Sequence, residues 1–182
     1  MTTIKGNLIK HGLLTTMPPI CRSLAGKMEM TGRPKEVVIP KENAQFWLDR
    51  HGFWHTEHEK FRHPRIVRHF HASIRKDRDG YHLLQEHGDF RERVYFYYED
   101  TALFVFEVIK DEDVILVLNT EKRIKMKPRR LFIRKDSLYM LSGEDRIKFT
   151  EHALVRIADL LEDENERCFI RIKGRRYQVP EK

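Results

Sequence analysis

Short β-branched and aromatic runs, two apolar stripes at helical spacing and a pattern used twice predict an α+β fold. It is read as two related, mostly antiparallel β units, each carrying one helix. The pattern is Lys60-Phe61, four residues, then Ile66-Val67-Arg68, repeated as Lys148-Phe149, four residues, Leu154-Val155-Arg156. Two short strand-like runs precede each copy: Phe46-Trp47-Leu48 and Phe53-Trp54-His55 before the first, Leu131-Phe132-Ile133 and Leu138-Tyr139-Met140 before the second. A supersecondary unit used twice explains both echoes. The expected organisation is a mobile tail over residues 1–40, a first unit over 41–109 and a second over 110–182, the two sharing a core. A seam between two such units is a common place for a ligand.

In chain order, Phe46 to Leu48 and Phe53 onward form a hairpin turned at Gly52. Pro64 suits the first helical turn, and Ile66, Val67, Phe70 and Ile74 line one helical face that points inward. Asp77 to Gly80 is a turn before a strand that begins at Tyr81. Three successive antiparallel strands are expected next, Val94–Tyr98, Ala102–Ile109 and Val114–Leu118, the middle one apolar on both faces and buried between layers. Glu99-Asp100, an acid pair that suits acid-base work, is explained more simply by the turn between two of them. A second hairpin turns at Lys135-Asp136, Arg146 to Phe149 adds a strand, and Thr150 caps a helix running to about Leu161. A short acidic link, Glu162 to Glu166, leads to a last hairpin turned at Gly174-Arg175.

Composition narrows the functional classes. The chain has 182 residues, enough for a sizeable core, and its 10% aromatic content sets it apart from disordered sequences. No apolar run approaches the roughly 20 residues that span a bilayer, so no membrane insertion is expected. Leu13 to Ile20 makes a poor signal-peptide core because Pro18 and Pro19 interrupt it, and Met28 and Met30 are alternative starts. Cys21 and Cys168 are the only cysteines, which argues against a disulfide framework and fits a reducing cytoplasm. The net charge of +7 is uneven: Lys122 to Lys135 holds eight basic residues and no acid, so the rest of the chain sums to −1.

The order Gly52-Phe53-Trp54, His63 to Phe70, Arg75 to Leu83 and Glu92 to Phe104 resembles the bacterial domain-of-unknown-function family 1285, over about residues 45–180. The resemblance implies a duplicated core, a C-terminal half similar to a pleckstrin-homology barrel, and a pocket at the seam for a nucleotide-like ligand in signalling.

The residues themselves offer three functional readings. The first is a regulatory module binding an anionic, nucleotide-like small molecule at the seam, with no cofactor and no reaction assigned. Arg65 and Arg68 lie near the start of the first helix, Arg93 or Arg130 would join them, and Tyr81, Tyr95 and Tyr97 would stack on a base. Ion pairing and core packing are the competing explanation for each. The second reading is a nucleic-acid-associated protein using residues 122–135 beside Phe132 and Tyr139. The third is a metal-dependent enzyme using the His-rich segment 51–87, where His51, His55 and His58 lie near Glu57 and Glu59. Strand-then-loop spacing sets these apart in direction, so no metal ligands are assigned. Ser73, Ser137, Ser142 and the cysteines sit in no nucleophile signature, and the phosphate-cradling glycine loop is absent.

Overall fold

The computed structural model describes residues 35–88 and 90–182. Cys21, Met28, Met30 and the tail expected before residue 35 lie outside the described residues. Lys35–Ile39, within the stretch expected as tail, forms strand β1. It runs parallel to β6 (Phe90–Tyr95) at one edge of a four-stranded sheet. Its order is β1-β6-β5-β4, with β4 at Ile74–Asp77 and β5 at Gly80–His87.

Helix α1 spans Pro64–Ala72 and buries Phe70 and His71. It stops short of Ile74, which was expected on its apolar stripe. Ser73 Oγ donates to the His69 carbonyl at 2.7 Å, and the Ser73 carbonyl accepts from Leu84 N–H at 2.9 Å, so the sheet captures the backbone and Ile74 opens β4.

Val94–Tyr98, expected as one strand, is divided between two sheets. The chain breaks at Phe96, whose ring is buried, so Tyr95 ends β6 while β7 (Tyr97–Tyr98) joins a separate three-stranded sheet, β3-β2-β7. There β2 is Phe46–Leu48 and β3 is Trp54–Thr56. The turn between them is held by Asp49, whose Oδ1 accepts from the N–H of His51 and of Phe53, each at 2.8 Å. Gly52 sits there at φ 85°, and the Phe104 ring lies 3.2 Å from where a Cβ would stand, so both conformation and space require glycine. Trp54, Phe70 and Phe96 pack edge to face in this first core, with centroids at 4.8 Å for Trp54–Phe96 and 5.4 Å for Trp54–Phe70.

The second half is a six-stranded sheet ordered β10-β9-β8-β13-β12-β11. These are β8 (Leu103–Lys110), β9 (Val114–Leu118), β10 (Arg123–Lys125), β11 (Leu131–Arg134), β12 (Ser137–Ser142) and β13 (Asp145–Phe149). The neighbours of β8 are thus β9, antiparallel as expected, and β13, parallel, instead of the run from Val94. Its apolar faces also diverge: a bulge between Val105 and Glu107 leaves Phe106 exposed, so only the first part is buried on both faces. Residues 126–130 join the two edge strands. Met126 N–H donates to the Val114 carbonyl at 2.8 Å while Lys127 N–H meets Met140 Sδ at 3.3 Å, which curls the sheet into a half-barrel.

Helix α2 (Glu151–Ile157) packs on β8, with Thr150 Oγ1 accepting from Ala153 N–H and donating to the Val105 carbonyl. It gives way to a single 3-10 turn, Ala158–Leu160, and then to strand β14 (Leu161–Glu164), where a longer helix and an acidic link were expected. Acids are tolerated in β14 because Glu162 pairs with Arg171 and Arg176, and Glu164 with Arg176. β14, β15 (Arg167–Ile172) and β16 (Arg175–Val179) make an antiparallel meander. A hairpin, a helix and a three-stranded meander follow in the first half as β2-β3, α1, β4-β5-β6; in the second half β11-β12 is followed by β13 before α2 and the meander β14-β15-β16. Among the described residues no helix is long and apolar enough to cross a membrane.

Each half has its own apolar core, and β8 belongs to both: Phe104 points into the first and Val105 into the second. Beside it Asn119 is buried, its Oδ1 accepting from Phe104 N–H at 3.1 Å and its Nδ2 donating to the Ala102 carbonyl at 2.9 Å and to His71 Nδ1 at 3.0 Å. Burial pushes the His71 imidazole down to about 4, with the Gly52 backbone acting weakly the other way. Because the folded state holds this ring neutral while the unfolded chain protonates it near 6.5, its contribution is fully present above 6.5 and is lost as pH falls toward 4. The shift corresponds to about 3 kcal/mol. Unfolding free energy followed by urea titration should fall across that window, and His71→Gln should flatten the fall, His82, also lowered by burial, supplying the remainder. An unchanged slope in the variant would contradict this role.

Candidate anion-binding groove

A two-residue turn between β4 and β5 fixes the register that builds the first wall. With Asp77 opposite Gly80, Lys76 stands opposite Tyr81 and Ile74 opposite Leu83 on one sheet face, from which Ile74, Lys76 and Tyr81 line the groove. Asp77 Oδ1 secures the turn by accepting from Asp79 N–H and Gly80 N–H at 2.9 and 3.2 Å. The opposing wall comes from the start of β8, the end of β9, the β9–β10 turn, and the junction of β12 with β13. Between the walls lies an open groove of about 410 Å³. Its floor is aliphatic, formed by Ile74, Leu103, Leu118, Ile124 and Ile147. Its rim carries Arg75, Lys76, Lys122 and Asp145 with the hydroxyls of Thr120, Ser142 and Tyr81.

Asp145 links the walls. Its Oδ1 accepts from Lys76 Nζ at 2.6 Å and from the Tyr81 hydroxyl at 2.6 Å. Partial burial pushes this carboxyl up, but the bonds from Lys76 and Tyr81 and the charges of Lys76 and Lys122 outweigh it and hold the group below the usual carboxylate range. Tyr81 is pushed strongly upward, by burial first and then by Asp145, so its hydroxyl remains a donor. The hydrogen bond to Asp145 likewise raises Lys76 and keeps it an ammonium. Arg75 is held by its own backbone, Nη1 donating to the carbonyls of Ala72 and Ile74 at 2.7 and 2.8 Å. Lys122 is exposed and makes no ion pair among the described residues. The positive φ of Glu121, 64°, turns the chain so that Thr120 and Lys122 reach the groove while Glu121 pairs outward with Arg68 at 2.5 Å.

Of the residues expected at the seam, Tyr81 alone lines this groove. Arg68 is committed to Glu121, and Arg65 is exposed on the first turn of α1. Arg93 and Tyr95 meet at Asp77 Oδ2, at 3.0 and 2.7 Å, on the sheet face opposite Tyr81, where Arg93 also pairs with Glu36. Tyr97 is exposed on the small sheet beneath Lys41, and Arg130 is exposed in the 3-10 turn Pro128–Arg130. The seven are not brought together. Arg75, Lys76 and Lys122 were missed, although an Arg75-Lys76 pair just before a two-residue turn already puts Lys76 across from Tyr81.

The other constellations separate as well. Glu99 pairs with Arg50, while Asp100 accepts from Tyr139, Arg146 and Lys148 at 2.6, 3.0 and 3.1 Å, which ties the turn before β8 to β12 and β13. His55 Nε2 bonds Asp49 at 2.8 Å and its ring stacks on Trp47. Among the described residues no three histidine, cysteine or acidic side chains are grouped to hold a metal ion. In the basic stretch, Lys125 shares Asp113 with Lys173. Arg129 lines a second groove, of about 480 Å³, with Arg176, Tyr177, Gln178 and Pro180. Phe132 and Tyr139, expected beside that stretch as stacking partners, are buried and stack on each other.

Replacing Asp145 with Asn removes the charge that Lys76 opposes while leaving an oxygen for Tyr81. The groove geometry predicts a loss of about 1 kcal/mol in unfolding free energy by urea titration. A variant as stable as the parent would mean that Asp145 does not join the walls.

No family model matches the chain, and none of the curated proteins matches it. Two solved structures are similar. One is a DUF1285 family protein from Silicibacter pomeroyi DSS-3, with a TM-score of 0.54 and 14% identity, covering 80% of this chain and 82% of that one. The other is a DUF1285 family protein from Shewanella baltica OS155, with a TM-score of 0.44 and 14% identity, covering 63% of this chain and 91% of that one. The chain thus shares the fold of the Silicibacter pomeroyi DUF1285 family protein, the family that its order of residues resembles.

Proposed function

We propose that the chain is a regulatory binding module that takes an anionic small molecule in the groove between its two halves. The observation that carries this reading is Lys122, a cation without an ion pair among the described residues, standing with Arg75 and Lys76 around an apolar floor. Arg75, Lys76 and Lys122 line the groove against one lining carboxylate, Asp145, with Glu144 also acting on Lys76, so its concave surface is net positive. Its Tyr81 and Lys76 are both kept protonated, which suits them to donate hydrogen bonds to an anion. A hairpin, a helix and a meander in each half, with the extra strand β13 before α2 in the second, support a duplicated core, and a curled sheet with α2 packed against it supports a pleckstrin-homology-like second half. Two cysteines in 182 residues, with Cys168 half-buried and in no disulfide among the described residues, suit the cytoplasm.

The nucleic-acid reading has one observation in its favour. Arg123, Lys127, Arg129, Arg130, Arg134 and Lys135 are exposed and make no ion pair among the described residues. The burial of Phe132 and Tyr139 removes the stacking partners that such a surface needs, which favours the groove.

A thermal-shift screen of phosphorylated and carboxylated metabolites tests the reading. A ligand at one hundred times its Kd stabilises the fold by about 2.7 kcal/mol, which raises Tm by roughly 5–10 °C for a domain of this size. Lys122→Glu should weaken the hit by tenfold or more. Oligonucleotide binding at low salt, if present, should survive that substitution. A screen with no hit, or a hit indifferent to Lys122→Glu, would overturn the reading.

A further inference from the structure

The proposal of an anion in the groove leaves the rest of the ligand open, and the groove's lining narrows it. We infer that the ligand is an aliphatic anion, an apolar chain ending in a single charged head, and not a nucleotide; this rests on the binding reading above. A nucleotide needs a flat surface on which its base stacks. Among the described residues the one aromatic lining the groove is Tyr81, and its ring is not available: it is buried at 9% exposure, Tyr98 meets it edge to face at 5.6 Å, and Lys76 lies 5.4 Å from its centroid. Its hydroxyl is committed to Asp145. Tyr95 and Tyr97 are on other surfaces. The floor consists instead of branched aliphatic side chains, two of which, Leu103 and Ile124, are only half-buried and present carbon to the groove. An alkyl chain laid along them removes apolar surface from water on both sides, whereas a base would leave its hydrogen-bonding edges facing hydrocarbon.

The charges are gathered at one place. Lys76 bonds Asp145 and Lys122 acts on the same carboxylate, so both ammonium groups stand around a single acid. Arg75 precedes Lys76 on the edge strand, its Nη1 tied to backbone carbonyls and the rest of the guanidinium left for a ligand. With Asp145 in the lining and Glu144 also acting on Lys76, the small positive excess matches one carboxylate or one phosphate monoester better than a triphosphate. The Thr120 and Ser142 hydroxyls supply neutral hydrogen bonds to such a head.

Isothermal titration of the full chain with octyl phosphate, octanoate, AMP, inorganic phosphate and octanol, each below any micellar concentration, tests the inference. Octyl phosphate or octanoate should bind at least tenfold more tightly than AMP, inorganic phosphate or octanol, and the better of the two names the head group. Ile124→Ser, at a half-buried position on the edge strand β10, should weaken the alkyl anion about tenfold and leave inorganic phosphate unchanged. AMP or phosphate binding as tightly as the alkyl anions would overturn the aliphatic assignment and leave the anion groove standing. Alkyl-anion binding that ignores both Ile124→Ser and Lys122→Glu would overturn it as partition onto other surface. Binding by none of the five would overturn the groove reading itself.

Discussion

The fold depends on one buried amide. Asn119 fixes the β8 backbone from the side, taking the Phe104 N–H and giving to the Ala102 carbonyl, and reaches His71 on α1 with the same nitrogen. Those bonds satisfy polar groups that no β-ladder satisfies, at the place where one strand serves two cores. In a low-dielectric interior an unmet amide costs far more than a met one gains, so the register of Phe104 and Val105 is strongly specified. The first core then closes on Phe104 and the second on Val105, and the relation of the halves follows from a single strand.

Near β8 the halves touch through apolar packing, and at its N-terminal end they are joined by charge. Asp100 gathers Tyr139, Arg146 and Lys148, and Asp145 gathers Lys76 and Tyr81. Polar links of this kind hold two surfaces at a distance that close apolar packing would not keep, and the groove lies beside the second of them. Its cations are unevenly satisfied: Lys76 has Asp145, Arg75 has carbonyl groups, and Lys122 has no ion pair among the described residues. An incoming anion would therefore meet Lys122 without first breaking a salt bridge.

Much of this was legible in the sequence where local rules dominate. The Gly52 and Lys135-Asp136 turns, Pro64 at the first helical turn, the Thr150 cap and the strand runs of the second half follow from turn, capping and period-2 patterns. The errors arose where tertiary contacts override them. Phe96 turns into the core and splits a continuous aromatic run between two sheets; β13 takes the place beside β8 expected for that run; Glu162 and Glu164 enter a strand because arginines face them. The groove was less legible than the fold. Arginines and tyrosines that look available along the chain are spent on Asp77 and Glu121, while Lys122, read as part of a basic block, acquires its setting only when β9 and β10 pair.

The most direct test of the central claim, an anion with an apolar body seated between the halves, is a methyl-labelled NMR titration with octyl phosphate. The account predicts saturable shifts at the methyl groups of Leu103, Ile124, Ile74, Leu118 and Ile147, with the exposed Val155 methyls on α2 unmoved. Shifts confined to other surfaces, or none at saturating ligand, would contradict it.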